Sequence, residues 1–379
     1  LQGKPEPDIF TTACDNLGIT YDRAVIVEDA VSGVQAGKKG NFGLVIGIAR
    51  EDNEEVLKAQ GADLVVKDLN EVSLARIEQW FTKDLEKQNW HINYYDYDVH
   101  KERTREALLT VGNGYMGVRG AVEESRANEV NYPATYIAGI YNRLESRVAD
   151  KLISNEDFVN TPNWAFLTFR IAQDEWVDIN KAQILRWQRT LNMKNGVLAR
   201  KIVVKDKKGR ETLVESWRIA SMAKPHLAAL KYNVTPLNYT DKITVKTVLD
   251  GDIINAGVNR YKQLKSKHLD FVNAGGEDTD SFLVVETNQS KIKIANQAKI
   301  LIFKDDQEVD VDIQHKVKSC KVESEFSLNM EQGHTLRIEK LVSIYTSKDK
   351  VDDPLKAAVD DLKTIKDFKD ILQASENCW

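Results

Sequence analysis

Three charged residues near the start of this chain have the types and the order that phosphoryl chemistry requires. Lys4 stands in a Gly-Lys-Pro segment just ahead of a stretch with helical spacing, and the adjacent acids Glu28 and Asp29 follow a short β-branched run over residues 24–27. Phosphoryl transfer needs positive charge on the phosphoryl oxygens and a divalent cation beside them. Lys4 can supply the first. Glu28 and Asp29 can supply ligands for Mg²⁺, a hard cation that prefers carboxylates and water. Taken singly, each of these groups reads as an ordinary surface charge; the ordered set makes them candidates.

A second cluster, Gly112-Asn113-Gly114-Tyr115-Met116-Gly117, satisfies the letter of a dinucleotide-binding fingerprint. That chemistry needs a buried strand before the glycines, a helix after them and an acid about 20 residues on. The lead-in is charged and suits a helix or an exposed strand, and the residues that follow show no helical face. A glycine-dense turn is expected instead. The tyrosines 94, 95, 97, 132, 136 and 141 could stack on sugar rings, but with Trp164, Trp176, Trp187 and Trp217 they read first as packing residues. His100 and His226 stand alone, without metal-ligand spacing. Arg119 has the fork to hold a carboxylate, and a structural role is expected for it.

Placing these residues requires two kinds of architecture. Residues 1–80 alternate helix and strand signals. Helices are expected at 7–17, 31–39 and 54–60, and strands at 24–27, 42–48 and 62–66, which implies βαβ units and a parallel sheet. Residues 71–89 form an amphipathic charged helix, and a domain boundary is placed near 85–92. From residue 100 onward, segments that alternate polar with apolar residues dominate, for example 211–220 and 241–251. Many such strands argue for a large antiparallel β-sandwich. Residues 352–372 return to helical spacing, with Asp353 as cap and Pro354 at the first helical position.

The bulk numbers narrow the partners. The chain has 379 residues, a formal net charge of −5 and 42% hydrophobic residues, so two or three domains with a sizeable core are expected. An acidic balance argues against nucleic acid or an anionic membrane as a partner. No apolar run reaches the length of a membrane-spanning helix. Cys14, Cys320 and Cys378 are far apart and odd in number, which reads as incidental thiols in a reducing cytoplasm.

The pattern G-K-P-x-P-x-x-F followed by V-E-D-A-x-x-G-x-x-A-G closely resembles the haloacid dehalogenase superfamily, in its β-phosphoglucomutase-like branch. The resemblance covers residues 1 to about 80 and implies a partial Rossmann-like α/β domain over 1–85. It makes Lys4 the phosphate-binding lysine, Glu28 and Asp29 the metal pair, and Mg²⁺ the cofactor of the intact domain. The Asp-x-Asp nucleophile of that family would precede Leu1. From Trp90 a different resemblance begins. G-N-G-Y-x-G-x-R-G after E-x-x-x-x-V-G, then residues 132–144, 160–171, 191–204 and 214–238, resemble the N-terminal domain of glycoside hydrolase family 65. That family includes maltose, trehalose and kojibiose phosphorylases.

The second resemblance implies a sandwich over 90–350 and a helical linker over 351–379, leading to an (α/α)₆ barrel that would follow Trp379 and carry the catalytic acid. No catalytic residue is therefore assigned in 90–379, and no cofactor is expected for the sandwich. Together the two resemblances imply part of a fusion enzyme. The parent would cleave an α-glucosyl disaccharide with inorganic phosphate, and the first domain would convert β-glucose 1-phosphate to glucose 6-phosphate. A homodimer is among the expected arrangements. Two other readings stay open: a disaccharide hydrolase joined to a sugar-phosphate phosphatase, and a non-catalytic carbohydrate-contacting or packing sandwich.

Overall fold

The computed structural model describes residues 2–378 except 51, 79, 82–89, 149–150 and 257–264. The chain divides into two compact units, Leu1–Trp90 and His91–Trp379.

In the first unit, strands Val25–Glu28, Leu44–Ile48 and Leu64–Val66 form a parallel sheet in sequence order. Helices Asp8–Leu17, Val31–Lys39 and Glu54–Ala59 stand between or before them. The central strand Leu44–Ile48 is buried along its whole length, as an inner parallel strand must be when helices cover its faces. Cys14, Val34, Val45 and Leu57 pack on one side of the sheet, and Leu44, Ile46 and Val66 on the other. Of the helix expected over 71–89, residues 74–78 and 80–81 are helical, and 82–89 lie outside the described residues.

The second unit is a large antiparallel β-sandwich. Its long sheet runs, neighbour by neighbour, through Leu269–Glu277, Asp280–Thr287, Lys293–Lys304, Leu336–Thr346, Leu227–Pro236, Glu211–Ala220, Val197–Lys205, Gln183–Asn192 and His91–Tyr94. A four-stranded sheet of Leu167–Ile171, Asp241–Asp250, Lys321–Met330 and Gln314–Lys318 completes it. Period-two burial sets the two faces. In Glu211–Ala220 every second residue from Thr212 to Ala220 is buried. Trp164, Phe169, Tyr232, Val245, Ile300 and Val342 belong to one continuous core.

The strands Gln314–Lys318 and Lys321–Met330 form a hairpin that turns at Ser319, with φ 55°. Asp250, the last residue of Asp241–Asp250, is also bridged to Asn163. The helix expected over 352–372 is two helices, Pro354–Leu362 and Phe368–Glu376. The break is fixed by hydrogen bonds. Asp353 caps the first helix and Asp367 the second, and Glu339 accepts the Phe368 N–H at 2.8 Å. The break lets Leu362, Phe368 and Ile371 all rest on the outer face of the long sheet, against Leu227, Leu301 and Leu341.

The glycine cluster is a hairpin between Val111–Gly112 and Met116–Val118, with Gly114 at φ 83°. A helix, Glu102–Leu108, precedes it. Helix first and strand after is the reverse of a dinucleotide fold. Three residues on, Gly120 passes beneath that helix. A Cβ there would lie 2.6 Å from Leu109 Cβ and 2.7 Å from the Leu109 carbonyl oxygen. Gly120→Ala is therefore expected to destabilise the sandwich by about 1–3 kcal/mol through overpacking. Urea denaturation would show a lower midpoint, and an unchanged one would mean the helix can shift freely.

Candidate functional site

The first unit brings its three expected residues to one end of the sheet. Glu28 closes the strand Val25–Glu28, and Asp29 follows it at the entrance to the helix Val31–Lys39, where the helix dipole favours negative charge. Lys4 forms an ion pair with Glu28, and Arg50 approaches Asp29 with Nε–Oδ2 at 3.4 Å. One residue of this cradle, Arg50, had no signal of its own in the sequence, whereas Gly33 stands in the D-A-x-x-G stretch of the first motif. Arg50 arrives from the end of the next strand. Gly33, in the first turn of the helix, leaves the space that the Glu28 carboxylate fills, and a Cβ there would run into it.

Each acid thus faces a cation. Mg²⁺ typically keeps several waters and takes one or two carboxylates beside a phosphate. Two adjacent acids match that donor chemistry. Among the described residues no group of three or more His, Cys, Asp or Glu side chains could hold a metal ion.

The second unit contains a different assembly, and here the residues of the G-N-G-Y-x-G-x-R-G segment find their role. Arg189, Arg200 and Arg218 sit on three neighbouring strands and all point into the sandwich, at 1%, 4% and 2% exposure. Arg189 and Arg200 are direct cross-strand partners, an arrangement that repels unless anions separate it. Three buried carboxylates do so, and a fourth, Glu106, lies against Arg119. Glu102 accepts from Arg189 at 2.9 and 3.1 Å. Glu124 takes both arms of Arg200 at 2.7 Å and also accepts from the Tyr232 hydroxyl. Glu123 bridges Arg200 at 2.9 Å and Arg218 at 2.7 Å. Glu106 accepts from the Tyr132 N–H at 2.8 Å and from Asn131 at 3.0 Å, with Arg119 at 3.4 Å.

The electrostatics differ along this row. Burial raises the Glu102 carboxyl and lowers the Arg189 guanidinium, so their mutual attraction does not offset their desolvation. At Glu123 burial also acts upward, but Arg200 and Arg218 outweigh it and the carboxyl is held low. Nothing here is open to a substrate. The space beside Arg119, Glu123 and Arg218 is about 10 Å³, room for at most about one water. Arg119 donates to the Tyr132 and Arg103 carbonyls at 2.9 and 2.8 Å, which makes it a brace.

The aromatic residues do not gather into one platform. Tyr97 packs on Trp187, Tyr136 and Tyr141 stack on Phe158, and Tyr132 and Trp164 are buried. His226 stacks on Tyr345 with centroids 3.7 Å apart. All three cysteines are free, with Cys14 and Cys320 buried. No helix among the described residues is long and apolar enough to cross a membrane.

Comparison with known proteins places this architecture. Residues 92–379 match the N-terminal domain of glycosyl hydrolase family 65. An uncharacterized glycosyl hydrolase of Mycobacterium tuberculosis is 34% identical over 69% of this chain and 20% of its own length. The kojibiose phosphorylase of Caldanaerobacter subterraneus subsp. tengcongensis is 32% identical over 72% of this chain and 34% of its own length. The chain therefore spans a fifth to a third of these relatives. A solved structure assigned to a kojibiose phosphorylase from the human microbiome superposes with a TM-score of 0.66 at 17% identity, over 77% of this chain and 37% of that one, and so shares the fold.

Proposed function

This chain belongs to glycosyl hydrolase family 65 through the N-terminal domain it carries over residues 92–379, and from that premise we propose that it is the sandwich module of an inverting disaccharide phosphorylase. The observation that carries the reading is the family match over three quarters of the chain, together with a kojibiose phosphorylase among its relatives. In such a reaction a carboxylic acid protonates the glycosidic oxygen while inorganic phosphate attacks the anomeric carbon from the opposite face. This is inverting glycosidase geometry with phosphate in the place of water. An α-glucoside then yields β-glucose 1-phosphate and the free second sugar. The acid and the phosphate site belong to a barrel beyond residues 92–379, and the sandwich supplies a rigid body stiffened by its buried ion pairs.

The unit at residues 1–90 fits a partner activity on the sugar phosphate so formed. Lys4 would face phosphoryl oxygens, and Glu28 and Asp29 would hold Mg²⁺, which neutralises phosphoryl charge when bound. Mutase and phosphatase chemistry both use this set, and the nucleophile they require lies outside it. The domain ranges 1–85, 90–350 and 351–379 are part of the same proposal, as is a cytoplasmic protein working on soluble sugars.

The test is made on the product of the whole reading frame that carries this chain. Kojibiose, trehalose and maltose are offered with and without inorganic phosphate. Phosphate-dependent release of β-glucose 1-phosphate supports the proposal. Glucose released equally well without phosphate would replace it with a hydrolase.

A further inference from the structure

A groove of about 400 Å³ lies on the outer face of the long sheet, between its Leu269–Glu277, Asp280–Thr287 and Lys293–Lys304 edge and the helix Pro354–Leu362. Pockets that enclose small organic ligands begin at roughly 300 Å³. Two cross-strand pairs form the floor, Phe282 with Gln297 and Asp280 with Lys299. Leu362 of the helix forms part of the facing wall. The Phe282 ring rests on Gly275, its partner on the neighbouring strand, where a Cβ would come within 2.8 Å of the ring. That support fixes the ring as a half-buried platform.

The polar groups are incompletely satisfied. Gln297 is 4% exposed and donates to Asp280 at 2.9 Å, yet its own Oε1 has no partner among the described residues. The side chains of Glu277 and Lys299 make no hydrogen bond or ion pair among the described residues. The Gln297 oxygen is sealed from solvent, so the polar contacts the groove offers a ligand are the Glu277 and Lys299 side chains. Lys363 is already paired with Asp360 at 2.8 Å, and the side chains left unpaired at the groove are one acid, Glu277, and one base, Lys299, so a charged ligand meets both signs and gains little over a neutral one. An aromatic floor with donors and acceptors on either side suits a ring with a C–H face and hydroxyls that both give and accept hydrogen bonds.

We propose that this groove binds a neutral saccharide of one or two rings, with Phe282 beneath a ring face and Glu277 and Lys299 on its hydroxyls. The choice of an α-glucosyl probe rests on the function proposed above; the groove's preference for a neutral sugar does not.

The experiment titrates the 379-residue chain with maltose and, separately, with lactose, by calorimetry and saturation-transfer NMR. Saturable millimolar binding is expected, weakened about tenfold, or about 1.4 kcal/mol, by Phe282→Ala. Phe282→Tyr should retain it. Glu277→Lys, at an exposed position, should weaken binding without touching the core, and serves if Phe282→Ala does not fold. Phe282-dependent binding of lactose but not maltose supports the groove and counts against the α-glucosyl assignment. No saturable binding of either sugar, or binding indifferent to both Phe282→Ala and Glu277→Lys, overturns the proposal and leaves the phosphorolysis assay to be judged by itself.

Discussion

Replacing Arg200 by Met is expected to cost the sandwich about 3–5 kcal/mol, the usual consequence of removing one member of a buried ion pair. Arg200 satisfies Glu124 with two bonds and Glu123 with a third. Without it, Glu124 keeps only the Tyr232 hydroxyl among these partners, and Glu123 keeps Arg218 and the Ser216 hydroxyl. One or two carboxylates would have to bind a proton or admit water, and the interior has room for little of either. The penalty falls on the unpaired carboxylates rather than on the lost pair, so Arg200→Met with Glu124→Leu should recover part of the loss. Urea denaturation followed through buried Trp164 would measure both variants. A single variant with wild-type stability would mean that the network contributes nothing net.

The opposite sign is expected at Lys340. This residue is 1% exposed in the sandwich core, bonded to the Thr247 hydroxyl at 2.7 Å and the Val248 carbonyl at 3.0 Å. Burial lowers its ammonium from 10.5 to about 7. Below about pH 7 the amine is protonated both folded and unfolded, and the folded state bears the full desolvation cost. Above it the folded amine is neutral while the unfolded one still binds a proton. Stability contributed by this group therefore rises with pH across the window from about 7 to 10.5.

At about 1.4 kcal/mol per pK unit, the whole span corresponds to roughly 5 kcal/mol. Lys340→Met removes that cost and leaves two acceptors unpaired at about 1–3 kcal/mol, for a net gain of about 2–4 kcal/mol at neutral pH. Burial also lowers the Lys231 ammonium, which adds a slope of the same sign to both proteins, so the Lys340 contribution is the difference between them from about pH 7 to about pH 9. His268, lowered by burial, titrates below this window, and the buried tyrosines and Cys320, raised by burial, act above it. Wild type should gain more stability across that window than Lys340→Met. Parallel slopes for the two proteins would show that Lys340 stays charged in the fold.

Most of this molecule was legible before any coordinates. Burial on one face of a strand writes a period of two, and the segments at 211–220 and 241–251 carried it clearly. The helix 31–39 and the cap Asp353 followed from spacing and local hydrogen bonding, which need only near neighbours. The strand Gln183–Asn192 had no clear signal, because Arg189 interrupts an inward face that also holds Trp187 and Leu191. The hairpin Tyr141–Val148 with Lys151–Phe158 was not foreseen either, since its partners are only each other and both faces are largely polar.

The candidate site divides in the same way. Lys4, Glu28 and Asp29 were named by order along the chain, whereas the Arg50 approach and the Gly33 space exist only once two strands and a helix lie side by side. The charged residues at inward positions, Arg189, Arg200, Arg218 and Lys340, were present in the pattern as exceptions to it. The sequence by itself determined the two architectures and the family, because these rest on periodicity and on ordered motifs. Which exceptions are paired, which is left neutral and where a groove opens were decided by tertiary structure. The reason is physical: the free energy of a buried charge depends on partners a few ångströms away in space, and those partners lie tens of residues away along the chain.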